Sequence, residues 1–173
     1  MSAARVGVSA AFLFAMLIVQ ESLISRIQFP ITGFSLYLAV LVTLISLEDR
    51  SGAIVMGFLG GIVLDLSPSS DAPFGQWALI FTVIGYLFAA NRESVGDFTS
   101  QPFIFVLFVA LSAGLSLGIY LIVGLILGEN NGSFQRDLII IAGNFLWTLL
   151  FAPIFLPAIG KVRRVSLSAR ERA

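Results

Sequence analysis

Carboxylates and side-chain amides supply most of the chemistry this chain could perform, and Asp65 is the most conspicuous of them. Ala53, Gly57, Gly61 and Asp65 recur at intervals of four, a spacing that puts them on one face of a helix. Glycines so placed let a neighbouring backbone approach closely, and Gly60 widens the groove. Two readings stand side by side. The groove either packs helices, or also positions Asp65. The carboxylate itself either pairs with Arg26, Arg136 or nearby backbone, or meets a partner or ligand. At the end of its helix it faces the negative pole of the macrodipole, which disfavours it.

Other polar residues fall at the same level of the chain's folding pattern. Gln20 and Glu21 close the first apolar run, Gln76 opens the fourth, Asp137 opens the sixth, and Asn144 lies about two turns further in. With Asp65 they form either an outward-facing pocket between helices or a set of unrelated interfacial residues. Catalytic patterns are missing from the sequence. With no histidine and no cysteine, imidazole chemistry, thiol nucleophiles, disulfides and thiolate metal sites are excluded. There is no metal-binding His-Glu-x-x-His helix and no glycine-rich phosphate loop. Gly33 and Ser35 are not followed by the glycine a serine elbow needs. No second aspartate lies deep in another apolar run, as a two-aspartate intramembrane protease would require. The expectation is a non-enzyme with no metal and no cofactor.

The elements that position these residues follow from composition. Of the 173 residues, 58% are hydrophobic and 12% charged, about half the charged share of a soluble domain. About 20 apolar residues cross a bilayer as a helix, and six runs qualify or nearly do. They are Val6 to Ile24, Phe29 to Leu47, Ser51 to Leu66, Pro73 to Ala90, Pro102 to Leu127 and Leu138 to Ile159. The second is the weakest. Its clean part, Phe34 to Leu47, is short, so it is extended through Pro30 and Gly33 as an irregular first turn. Pro153 and Pro157 are expected to bend the sixth. Backbone in lipid must satisfy its own hydrogen bonds, so the spans must be helices. The expectation is an all-α membrane bundle over residues 1–162, followed by a basic cytoplasmic tail over 163–173.

Basic residues orient the bundle. With the N-terminus inside, eight (Arg5, Arg50, Arg92, Lys161, Arg163, Arg164, Arg170 and Arg172) fall inside and two (Arg26 and Arg136) outside. Both termini are therefore predicted to be cytoplasmic. The basic tail is a positive-inside anchor, or a surface for anionic lipids or an acidic partner. Lys+Arg and Asp+Glu balance at 10 each, which gives no reason to expect nucleic acid. Gly114-x-x-x-Gly118 and Gly124-x-x-x-Gly128 in the fifth run suit close helix contact, within the bundle or with another protein's membrane helix. Ala11 and Ala15 make a weaker small pair in the first.

The stretch from Phe34 to Glu93 resembles the bacterial rod shape-determining MreD family. It reads "FSLYLAVLVTLISLEDR" and then "SGAIVMGFLGGIVLDLSPSSDAPFGQWALIFTVIGYLFAANRES". The likeness rests on Gly57, Gly60, Gly61 and Asp65, on a Ser/Pro/Gly loop reaching Gly75, and on Gly85-Tyr86-Leu87. Phe74 stands where family members usually carry Leu. The likeness covers about a third of the chain. It implies a non-enzymatic component of the cell-elongation machinery in the bacterial cytoplasmic membrane. The implied partner is MreC, a single-span protein, together with RodA, a class B penicillin-binding protein and the MreB cytoskeleton. It also implies a bundle similar to the substrate-binding subunits of energy-coupling-factor vitamin transporters. A small-molecule carrier subunit is therefore the alternative function.

Reporter fusions test the orientation. Fusions after Arg92 and at the C-terminus should both read cytoplasmic, and one extracytoplasmic signal at either would overturn the six-span arrangement.

Overall fold

The computed structural model of the protein describes residues 3–27, 31, 33–68, 73–128 and 133–166. The described residues form seven α-helices and one short 3-10 turn, with no strand. In chain order the helices are α1 (Ala3–Ser22), α2 (Leu36–Leu47), α3 (Arg50–Asp65), α4 (Gln76–Ala90), α5 (Arg92–Ser100), α6 (Pro102–Ile126) and α7 (Phe134–Ser166). The 3-10 turn, Ile24–Arg26, follows α1.

Helix boundaries follow local chemistry. Ser35 caps α2, its hydroxyl accepting from the Leu38 amide at 3.3 Å. Asp49 caps α3 in the same way, through the Gly52 amide at 3.0 Å. Both are residue types whose short oxygens satisfy orphan amides at helix starts. Pro102 opens α6 at a position where its missing N–H is harmless.

Six of the seven helices correspond to the six expected runs. Two are long and apolar enough to cross a membrane by length and composition, Pro102–Ile126 and Phe134–Gly160. Val6–Ser22, Leu36–Leu47 and Gln76–Ala90 are apolar but shorter. The second run differs most from expectation: its helix starts at Leu36, not near Phe29, and Gly33 to Ser35 are not helical. Phe29 and Pro30 lie outside the described residues. A short polar helix, α5, was not expected; it fills the connection between α4 and α6. Helix α7 is longer than its apolar run and continuous through Pro153 and Pro157 to Ser166. At 33 residues it is about 50 Å long. Arg170 and Arg172 of the tail lie outside the described residues.

The weakest of the expected runs turns out to form the centre. Every residue of α2 from Tyr37 to Ser46 is buried, and α2 touches all six other α-helices. A helix apolar on every side has no solvent face to offer. Around it the usual inside–outside pattern is inverted on α6 and α7. Phe103 (90% exposed), Ile126 (78%) and Ile154 (73%) point away from the bundle, as do Leu115, Ile122 and Leu150.

Helices α3 and α4 pair more extensively than any other two described elements, and glycine makes this possible. A Cβ on Gly57 would collide with the Phe81 carbonyl oxygen, and one on Gly61 with the Ala78 backbone. Gly85 of α4 returns the contact, facing the Ala53 carbonyl. The four-residue ladder of α3 thus runs antiparallel along α4, backbone on backbone. Gly60 faces the other way, against the Leu41 side chain of α2, and its carbonyl accepts the buried Tyr37 hydroxyl at 2.8 Å.

The Gly114-x-x-x-Gly118 pair of α6 behaves differently from the α3 ladder. Gly114 and Gly118 meet α7 at ordinary van der Waals range, 3.7 Å or more from where a Cβ would stand. Their nearest neighbours are the Ile141 and Phe145 side chains. Gly57→Ala is therefore expected to destabilise by about 1–3 kcal/mol through overpacking. Gly114→Ala should be neutral or slightly stabilising, since alanine favours a helix by about 1 kcal/mol over glycine. Denaturant unfolding of the two variants checks this; equal losses would refute the backbone-contact account.

Candidate functional site

At the end of the ladder, Asp65 performs a capping role for another helix. The start of α4 is capped by Gly75, which has no side chain to satisfy the orphan amides. Asp65 supplies it from α3. One carboxylate oxygen accepts from the Trp77 amide and the other from the Ala78 amide, each at 3.0 Å. These are the second and third residues of α4, the amides an N-cap side chain normally serves. The unfavourable negative pole of α3 is offset by the positive pole of α4 beside it. Of the open readings, backbone is the partner observed; no ion pair to Arg26 or Arg136 is involved in these bonds.

Gly75 is accordingly not a packing glycine. Nothing lies within 4 Å of where its Cβ would be, and its φ of +100° explains the residue type. Left-handed backbone favours glycine at a turn.

Gln20 does for α2 what Asp65 does for α4. Its Oε1 accepts from the Leu36 amide at 2.9 Å and, more weakly, from the Tyr37 amide at 3.4 Å. With Ser35 on the Leu38 amide, the first three amides of the buried helix are all served. The segment before α2 is held from α7. The Asn144 amide donates to the Gly33 carbonyl at 3.0 Å, and the Trp147 indole donates to the Ile31 carbonyl at 2.9 Å. Phe34 meets Phe151 with centroids 5.4 Å apart. Residues 144, 147 and 151 share one face of α7. Gly33 approaches that helix so closely that a Cβ would strike the Ile140 carbonyl, and its φ is +108°.

The remaining polar groups follow the same logic. The Gln76 amide nitrogen donates to the Tyr120 carbonyl of α6 at 3.0 Å, beneath the Trp77–Tyr120 ring stack at 4.3 Å. At the opposite end of α2, Arg92 donates to the Ser46 carbonyl at 2.6 Å, beside Glu48, which is buried. Glu21 accepts from the Ser67 hydroxyl at 2.7 Å, joining α1 to the end of α3. Asp137 sits in the first turn of α7, where the helix dipole favours a carboxylate.

The predicted outward pocket is thus resolved into separate duties. Gln20, Asp65, Gln76 and Asn144 each hold a backbone group of a different element, and Glu21 holds Ser67. Among the described residues, neither of the two largest grooves is lined by more than one of them. Of the six, Glu21 alone lines either of two sizeable grooves among the described residues. One, about 430 Å³, runs between α1 and the end of α3. The other, about 700 Å³, lies between α6 and α7 and is floored by Gly114, Gly118 and Ala142. Ala11 and Ala15 are both exposed. Three buried oxygens, Gln76 Oε1, Asn144 Oδ1 and Thr148 Oγ1, have no partner among the described residues.

Several structural residues carried no usable sequence signal. Gly33 reads as part of a failed motif, Arg92 as a topogenic charge, and Trp147 stands in an apolar run with nothing to single it out. Tyr37 and Gly85 stood inside the stretch that resembles a family, without a role of their own. No protein-family model, curated protein or solved structure matches the chain.

Removing the Asp65 carboxylate leaves two amides without partners, each costing about 1–3 kcal/mol if no water replaces it. Asp65→Ala should therefore lower unfolding stability more than Asp65→Asn, whose remaining oxygen can still accept. Thermal unfolding of the purified variants decides this. An unchanged midpoint in Asp65→Ala would remove the capping role.

Proposed function

We propose that the protein is a multi-pass membrane component that acts as a scaffold for other membrane proteins. The observation that carries this reading is the inverted polarity of the bundle. Interior side chains such as Gln20, Asp65 and Asn144 are turned inward to serve helix ends, while large apolar side chains of α6 and α7 point outward. A long, apolar helix of a water-soluble core would be mostly buried; the most apolar windows here are 33% and 22% buried. In hydrocarbon each unserved backbone group is expensive, which gives such capping side chains their purpose. The short helices α2, α3 and α4 fit a bilayer if capped, irregular segments complete the crossing, since non-helical backbone is tolerated at depth when protein surrounds it.

The scaffold role draws support from α6. Its Gly114 and Gly118 line a groove between α6 and α7, where Gly114 is buried against α7 and Gly118 is half-buried. Small residues lining a groove admit a second helix closely. Within this class, the MreD family is the particular assignment we propose, on the glycine ladder, Asp65, Gly75 and Gly85-Tyr86-Leu87. The protein would then sit in the bacterial cytoplasmic membrane with both termini inside. It would hold MreC, and through it RodA, a class B penicillin-binding protein and MreB, in lateral wall synthesis. The carrier alternative has less support, because its polar residues are engaged singly.

Co-purification in mild detergent tests the assignment. Tagged protein should retain its cognate MreC, and Gly118→Phe, which fills the groove, should reduce retention about tenfold or more, a change of about 1.4 kcal/mol. Absence of MreC from the wild-type preparation, with normal cell shape after the gene's loss, would overturn it.

A further inference from the structure

The face of α7 that meets the segment leading into α2 carries two polar atoms with nothing to bond. Asn144, Trp147, Thr148 and Phe151 share that face. Three of them reach the segment. The Asn144 amide nitrogen donates to the Gly33 carbonyl, the Trp147 indole donates to the Ile31 carbonyl, and the Phe151 ring meets Phe34. Thr148 lies between them in the helical register, one turn from Asn144 and one from Phe151. Asn144 and Thr148 are fully buried. Neither Asn144 Oδ1 nor Thr148 Oγ1 has a hydrogen-bond partner among the described residues, and neither atom is open to water.

This arrangement is costly. A buried oxygen that has given up water without gaining a donor keeps its full desolvation penalty, and folded proteins leave few such groups. The segment that lies against this face is itself lightly held. Gly33 to Ser35 are not helical, and the capping bonds of Gln20 and Ser35 secure only the amides from Leu36 onwards. Ile31 is 38% exposed. Beside it a groove of about 380 Å³, lined by Ile31, Trp147 and Leu150, runs along α7 and gives the segment room to shift. Gly33, at a φ of +108°, brings the backbone against the Ile140 carbonyl.

We propose that Gly33–Ser35 is a latch on α7, which opens to admit water to Asn144 Oδ1 and Thr148 Oγ1. The closed state is held by the Asn144 and Trp147 bonds and by the contact between Phe34 and Phe151. The open state gives the two buried oxygens the donors they lack in the closed one. One face of α7 thus supplies both the fastening and the reason to release it. The latch is independent of the scaffold role and of the direction in which the chain crosses a bilayer.

The chain has no cysteine, so one introduced thiol reports water access without background. Full-length Thr148→Cys in nanodiscs, open to reagent on both faces, is treated with a charged methanethiosulfonate and followed by mass spectrometry. The thiol should be modified slowly and completely. Trp147→Phe, which keeps the ring but loses the indole bond, should raise the rate by about tenfold, near the upper end of what one hydrogen bond contributes. Gly33→Ala, whose added methyl the closed contact with Ile140 excludes, should raise it further. Hydrogen exchange checks the same opening in chains without a thiol. Exchange over residues 33–38 should accelerate in Trp147→Phe while α3 stays as slow as in the native chain. A Thr148→Cys thiol that never reacts would overturn the latch, as would a rate that Trp147→Phe leaves unchanged. Equal acceleration of exchange in α3 would show general loosening of the bundle and overturn it as well.

Discussion

The two hydrogen bonds from Asp65 to the Trp77 and Ala78 amides express the constraint that organises the rest of the molecule. A short helix packed among apolar neighbours exposes its end groups to surroundings that cannot solvate them. Something must serve those groups, and here it is a side chain from the next helix. Gln20 serves the start of α2, Arg92 accompanies its end, Asn144 and Trp147 serve the segment leading into it, and Gln76 reaches a carbonyl of α6. Each bond ties one element to another. Together they fix how far each helix can slide along its neighbours.

The glycine ladder makes the Asp65 bonds geometrically possible. Only when α3 and α4 lie backbone against backbone does the last residue of one reach the first amides of the other. Gly57, Gly61 and Gly85 remove the side chains that would hold the axes apart. Gly75 supplies the left-handed turn that aims those amides back at the carboxylate. The same ladder frees Gly60 to receive Tyr37 from α2. One helical hairpin is thereby joined to the buried centre. The α6–α7 pair is built differently, with Gly114 and Gly118 in ordinary side-chain contact with α7 while lining a groove. A single chain thus contains one small-residue motif packed backbone on backbone and another in looser contact.

Polar residues in an apolar chain with few charges invite assignment to a binding site, and the geometry gives several of them a backbone partner instead. Gln20, Gln76 and Asn144 are conspicuous in sequence because they interrupt apolar runs. They interrupt them where each reaches a backbone group of another part of the chain. Glu21 differs in holding a side chain, the Ser67 hydroxyl, and it lines the groove between α1 and the end of α3.

Hydropathy and local capping chemistry determined that the chain is helical and roughly where its helices lie. Ser35, Asp49, Gly75 and Pro102 mark boundaries that depend only on neighbouring residues. The four-residue ladder was equally legible, because helix periodicity alone places Ala53, Gly57, Gly61 and Asp65 on one face. What that face meets was not, since the register of two helices depends on contacts between residues far apart in the chain. The same holds for α2. Its twelve residues were too few for a conventional span, and nothing within them says that six helices surround them. Only the tertiary structure decided that the twelve-residue α2 is the centre and that Asp65 caps α4. Both are properties of assembled elements, where an unserved amide in one helix selects the side chain of another.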